Sequence, residues 1–147
     1  MINKLKSMGL KVTPQRLAIL QLLEGNTSHP TAESIHRELK PQFPSLSLAT
    51  VYNTLEILAS GGELQEVRIA SDRRHFDPNP APHCHFLCHS CDTIYDLKIW
   101  PEELRVPCEI DGNLIQNSAL YLYGICSRCR ARQDNGGSDK DNTGSKL

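Results

Sequence analysis

Aromatic residues are scarce in this chain, and neither sign of charge is in excess. Phe, Trp and Tyr together make up 5%, and 16 Lys or Arg stand against 17 Asp or Glu, for a formal net charge of -1. A chain that holds nucleic acid through bulk electrostatics is strongly basic, so that mode is excluded. Any DNA contact must rest on locally placed charge and on a motif. No stretch approaches the roughly 20 apolar residues needed to cross a bilayer, so no membrane partner is expected. The opening run MINKLKSMGLKVTPQR has no continuous apolar segment of the secretory kind, and the expected compartment is the cytoplasm. There is no internal repeat, and 147 residues allow one domain or two small ones.

The first 62 residues read as helices separated by short turns. Thr13-Pro14 supplies an N-cap and a first helical residue ahead of an apolar run at 17–23. Residues 31–39 place Ala32, Ile35 and Leu39 on one helical face. Pro41 and Pro44 then break the chain, Ser47 can cap a third helix to about Ser60, and Gly61-Gly62 ends it. Two short strand-like runs follow at 64–70 and 74–76. Three helices and a hairpin make a winged helix, assigned to residues 1–77.

Residues 77–82, DPNPAP, contain three prolines that exclude helix and central strand alike, so 78–82 is read as a hinge. Beyond it, strand patterns at 83–87, 93–97 and 119–123 flank a weaker helical stretch at about 102–109. A second domain of 83–132 is small enough to need a metal or a partner copy. Residues 133–147, rich in Gly, Ser, Asp, Asn and Lys, are read as a disordered tail.

Two CxxC units stand out, Cys88-His89-Ser90-Cys91 and Cys126-Ser127-Arg128-Cys129. This spacing lets two thiolates of one tight turn take two corners of a tetrahedron, so two units complete a closed structural Zn(II) site. In a reducing compartment cysteines serve metals more often than disulfides. A redox CxxC would need only one unit, at a helix start after a strand. Cys84 and Cys108 are left over and read as small buried or half-buried thiols.

A second cluster has different chemistry. In His83-Cys84-His85 a strand places both imidazoles on one face and the thiol on the other. Asp77 precedes the hinge, Asp96 ends the next strand, and His29 precedes Pro30 in the N-terminal half. A site joining them bridges both domains, and imidazoles with carboxylates suit Fe(II) or Mn(II) better than tetrahedral zinc. Each residue also has an ordinary role open to it: a surface His, a turn-capping Asp, a strand-end carboxylate. Spacing alone leaves that choice open.

On the third helix Leu48, Val51, Leu55 and Leu58 form a core row, and Ala49, Tyr52, Asn53 and Glu56 the opposite one. The second row, with Thr50, is small or polar at the end that meets base edges in a recognition helix. Tyr52 suits a thymine methyl or a phosphate and Asn53 suits adenine. A solvated face is the commoner fate of such a row. Lys11, Gln15 and Arg16 near the first helix, and Arg73 and Arg74 in the wing, are candidate phosphate contacts. Residues 1–77 carry nine Lys or Arg against eight Asp or Glu, so binding is expected to depend on a bound metal.

Taken together, GLKVTPQR (9–16), HPTAESI (29–35), LATVYNTL (48–55), RRHFD (73–77), HCHFLCHSC (83–91) and LYLYGICSRC (120–129) resemble the ferric uptake regulator family. The resemblance implies an α+β protein, an N-terminal winged helix-turn-helix with a C-terminal α/β dimerisation domain. It implies a homodimer on an inverted-repeat operator in double-stranded DNA. It further implies structural Zn(II) on Cys88, Cys91, Cys126 and Cys129, and regulatory Fe(II) or Mn(II) on His29, Asp77, His83, His85 and Asp96. Asp96 in place of the Glu usual in iron-uptake regulators, and Asn53 in place of Arg, resemble the peroxide-sensing branch. There, hydrogen peroxide meets Fe(II) and oxidises a ligating histidine, His29 or His83, while Mn(II) leaves the protein blind to peroxide. Ser118 stands where many relatives have a further metal-binding His, so no third site is expected. His75 alternates with Asp77 but lies outside the family's ligand pattern, and a surface role on the wing is expected.

The near alternative is an iron-responsive repressor of metal uptake. An enzyme would need an open metal position and a substrate pocket, and the sequence offers five ligands without pocket residues. A zinc-stapled interaction module that binds no DNA is the third reading.

Overall fold

The computed structural model describes residues 2–70, 72–81, 83–98 and 106–136. Four helices open the chain: α1 (Ile2–Ser7), α2 (Pro14–Leu23), α3 (Ala32–Leu39) and α4 (Leu48–Ser60). α2 and α4 start at the expected caps, Thr13 and Ser47, while Thr31, read as the first helical residue, is itself the cap of α3. Thr13 accepts from the Arg16 N–H with Pro14 at the first position, Thr31 and Ser34 form a reciprocal capping box, and Ser47 accepts from the Thr50 N–H. α1 was not anticipated, and it earns its place by packing. Leu5 is fully buried with Ile19, Ile35, Val51, Leu55 and Leu58 in the core where the helices meet.

The wing pairs β1 (Gln65–Val67) antiparallel with β2 (His75–Asp77), so that Gln65 faces Asp77 and Val67 faces His75. β1 is shorter than the 64–70 run suggests, and β2 keeps the expected three residues but starts one later, at His75. Phe76, fully buried, points from β2 into the helical core.

In the C-terminal half come β3 (Cys84–Cys88), β4 (Ile94–Leu97), β5 (Glu109–Ile110), β6 (Asn113–Leu114), β7 (Tyr121–Gly124) and α5 (Ser127–Gly136). The main sheet has the order β4-β3-β7, with β3 antiparallel to β4 and parallel to β7. Three expectations need correction. Glu109 begins a strand instead of ending a helix, and residues 102–105 lie outside the described residues. Asp111 and Gly112, at φ 50° and 78°, close a two-residue β5–β6 hairpin. The tail read as disordered from residue 133 continues α5 as far as Gly136; 137–147 lie outside the described residues. Cys84 is buried, but Cys108 is exposed instead of buried or half-buried.

The two halves pack through the segment that leaves β1. Val67 and Ile69 bury against Ile94, with Leu87 and Tyr121 alongside. The Arg68 N–H donates to the Tyr121 hydroxyl and the Tyr123 hydroxyl donates to the Ile69 carbonyl, each at 3.1 Å. No helix among the described residues is long and apolar enough to cross a membrane.

Candidate metal centres and nucleic-acid face

The turn after β3 and the start of α5 bring Cys88, Cys91, Cys126 and Cys129 together, all four sulfurs within 4.8 Å of one another. The Cys91 and Cys126 sulfurs are 3.9 Å apart, close to the edge of a tetrahedron with Zn–S near ~2.3 Å. None of the six cysteines is in a disulfide. A hydrogen bond from the Tyr95 hydroxyl holds the Cys126 thiol down to about 6, and the Tyr95 hydroxyl itself accepts from Arg128 at 2.8 Å. Four converging sulfurs, one already poised as thiolate, fit a structural Zn(II) ion.

The second cluster is assembled by register. His85 pairs directly with Asp96 across β3 and β4, His83 precedes β3, Asp77 ends β2, and His29 comes from the turn before α3. Their ligand atoms also lie within 4.8 Å of one another. Asp96 Oδ1 is 2.6 Å from His29 Nε2 and 3.2 Å from His83 Nε2. Asp77 Oδ2 is 2.8 Å from His83 Nε2 and 3.2 Å from His85 Nε2. His29, Asp77 and His85 are buried, whereas the Asp96 side chain is 29% exposed.

Charge in the cluster is finely divided. Burial pulls His29 below the ordinary histidine value, more than Asp96 and Asp77 raise it. At His83 burial acts the same way but loses to the Ala81 carbonyl, Asp77 and Asp96, so the imidazole is held high. Burial would raise Asp77, but the His85 hydrogen bond, the Asn79 N–H and the neighbouring imidazoles hold it low. Three Nε2 atoms and two carboxylates converging from both halves fit a divalent cation of the Fe(II) or Mn(II) kind.

His75 stays outside this cluster. It is half-buried instead of lying free on the wing surface, and its Nδ1–H donates to the His29 carbonyl at 2.7 Å. Spacing could not have revealed a bond to backbone 46 residues away.

The candidate DNA contacts differ in freedom. Ala49 and Asn53 are exposed on α4, and Thr50 is half-buried with its hydroxyl on Ser47. The Tyr52 hydroxyl donates to Glu33 at 2.6 Å, a partner the sequence did not suggest. Gln15 donates to the Ser45 hydroxyl, Arg16 to the carbonyl of exposed Lys11, and exposed Arg73 pairs with Asp72. Arg74 is not a free phosphate contact. It bonds both Glu66 oxygens and Glu56, and its guanidinium lies 5.7 Å from the Tyr52 and Phe76 rings. It thus ties the wing to α4, beside an open cleft of about 1090 Å³ that Arg37, Arg68 and Arg73 also line.

A winged helix joined to a sheet domain by a shared set of candidate metal ligands is the architecture of a metal-responsive regulator of transcription, and comparison with known proteins agrees. The model of the ferric uptake regulator family matches residues 7–105. The chain is 32% identical over 136 residues to the peroxide operon regulator of Bacillus subtilis, covering 90% of this chain and 93% of that one. It is 33% identical over 132 residues to the peroxide-responsive repressor PerR of Staphylococcus aureus, covering 88% of each. Among solved structures, the ferric uptake regulator of Vibrio cholerae superposes with a TM-score of 0.62 at 26% identity, over 84% of this chain and 98% of that one. The chain belongs to the ferric uptake regulator family. Its relatives are regulators, so the enzyme reading falls away.

Proposed function

We propose that this chain is a homodimeric repressor that binds an inverted-repeat operator when Fe(II) or Mn(II) occupies the His29, Asp77, His83, His85 and Asp96 cluster. Peroxide ends its repression in the Fe(II) form. The observation that carries the reading is the origin of the five ligands. Two come from the winged-helix half and three from the sheet half, so occupancy sets the orientation of one half on the other. In a dimer that orientation decides whether two α4 helices reach successive major grooves, roughly 34–36 Å apart.

Each residue has a defined task. Asp77 and Asp96 would neutralise the ion, and His29, His83 and His85 would complete its ligands. Cys88, Cys91, Cys126 and Cys129 hold structural Zn(II), fastening α5 and β7 to β3. Ala49, Thr50, Tyr52 and Asn53 face the bases, while Lys11, Gln15, Arg16 and Arg73 face phosphates. Fe(II) held there would activate hydrogen peroxide, which supplies both the oxygen and the two oxidising equivalents and leaves as water. His29 and His83 are the imidazoles placed to be oxidised, and an oxidised ring would no longer serve as a ligand. Exposed apolar side chains on the sheet half, Leu114 at 70% and Tyr123 at 51% with Leu122 and Ile125, support a second copy as partner.

The test is DNA binding by metal-free, Mn(II) and Fe(II) protein on a random duplex pool, before and after a short peroxide treatment. Binding in both metal forms, lost with peroxide only in the Fe(II) form, is expected. Binding that survives peroxide moves the function to control of metal uptake, and no binding in any form leaves a zinc-stapled interaction module.

A further inference from the structure

His29 is the cluster ligand with the least local support. It lies in a turn, and its φ of 51° is in the left-handed region that a residue with a Cβ seldom occupies. A ligating imidazole is normally aimed by a hydrogen bond from its second ring nitrogen. His83 has one, its Nδ1 lying 2.8 Å from the Ala81 carbonyl. His29 Nδ1 is buried with no hydrogen-bond partner among the described residues. Apart from the Asp96 contact at Nε2, the ligating atom, the aim of the His29 ring rests on its backbone.

That backbone is held from the wing. The His75 Nδ1–H donates to the His29 carbonyl at 2.7 Å, the Phe76 N–H donates to the Pro30 carbonyl at 2.9 Å, and Thr31 pairs with His75 in an isolated antiparallel bridge. His75 and Asp77 are alternate residues of β2 and so share a side of the strand. One strand thus carries a ligand and, two residues earlier, the group that fastens the turn bearing another ligand.

We propose that His75 is a positioning residue of the regulatory site: by clamping the His29 carbonyl it keeps the left-handed turn and points His29 Nε2 at the ion. This rests on the metal reading above, and His75 itself is not a ligand. Loss of a partner that orients a ligand typically costs 10- to 100-fold in metal affinity. His75→Leu removes the donor, whereas His75→Asn keeps an N–H donor near the place of Nδ1.

The experiment is Mn(II) titration of the full-length zinc-containing protein, wild type against both variants, with zinc content and metal-free melting recorded on the same samples. The expected result is one zinc per chain throughout, Mn(II) binding 10- to 100-fold weaker in His75→Leu, and recovery to within a few-fold in His75→Asn. If His75→Leu does not hold its zinc, His75→Ala takes its place in the comparison. Affinity in the donor-less variant within twofold of wild type overturns the proposal. So does an asparagine variant as weak as the leucine variant, which points to the imidazole as a ligand or to packing. Wild type that binds no Mn(II) removes the metal reading itself, and this inference with it.

Discussion

Stripping the proposed zinc should unfold the C-terminal sheet and leave the winged helix standing. The reason lies in how unequally the two halves are filled. The helical half buries a continuous cluster from Leu5 to Phe76. Outside the cysteines, the sheet half is pinned by Val67, Ile69 and Ile94. Three fully buried aliphatic side chains contribute roughly 5–9 kcal/mol at about 1.5–3 each. Structural zinc contributes about 10–16 kcal/mol in comparable small sites, so the ion is the larger share. The perturbation is a strong chelator, or Cys126→Ser with Cys129→Ser. The assay is hydrogen exchange, with β3, β4 and β7 read separately from α2, α3 and α4. Protection should collapse in the sheet and persist in the helices. Full protection of β3 and β7 in zinc-free protein would refute the reasoning.

Four further substitutions have defined outcomes. Asn53→Ala should weaken operator binding by about 1–3 kcal/mol and relax preference at one base position, whereas Arg73→Ala should weaken all sequences alike and lower the salt slope by about 1; binding to a mutated operator series separates the two. The Arg74 hydrogen bond holds the Glu66 carboxyl below the usual glutamate value. The stability it contributes is therefore present above that usual value and is lost as pH falls through the lowered one, so Glu66→Gln should cost on the order of 1 kcal/mol at pH 7 and nothing at strongly acid pH in urea unfolding. Phe76→Ala empties a fully buried site and should destabilise the winged helix by about 3–5 kcal/mol, read from its urea midpoint.

What could be read in advance was whatever is encoded locally. Caps at Thr13 and Ser47 and the glycines after Ser60 mark helix ends through bonds to neighbouring backbone, and the structure has them. The alternation of His83 and His85, and the two CxxC units, are short-range geometry as well, and those side chains do converge. The misses depend on tertiary contacts or on an overlooked turn. α1 is short and is stabilised by burying Leu5, which no periodicity announces. The β5–β6 hairpin has a local signal in Asp111-Gly112, a pair suited to the positive φ of such a turn, which the reading of a helix at about 102–109 does not use. Arg74 looked like a free wing cation because Glu56 and Glu66 are distant in sequence. The His75 bond to the His29 carbonyl joins a side chain to backbone, which no residue pattern records.

The central claim is that signal and ligand are the same imidazoles, and mapping oxidation by peptide mass tests it most directly. Protein loaded with Fe(II) and treated with peroxide should gain one oxygen on the peptide carrying His29 or His83, in step with the loss of operator binding, while the Mn(II) form gains none. Loss of binding without histidine oxidation, or oxidation that leaves binding intact, would contradict the account.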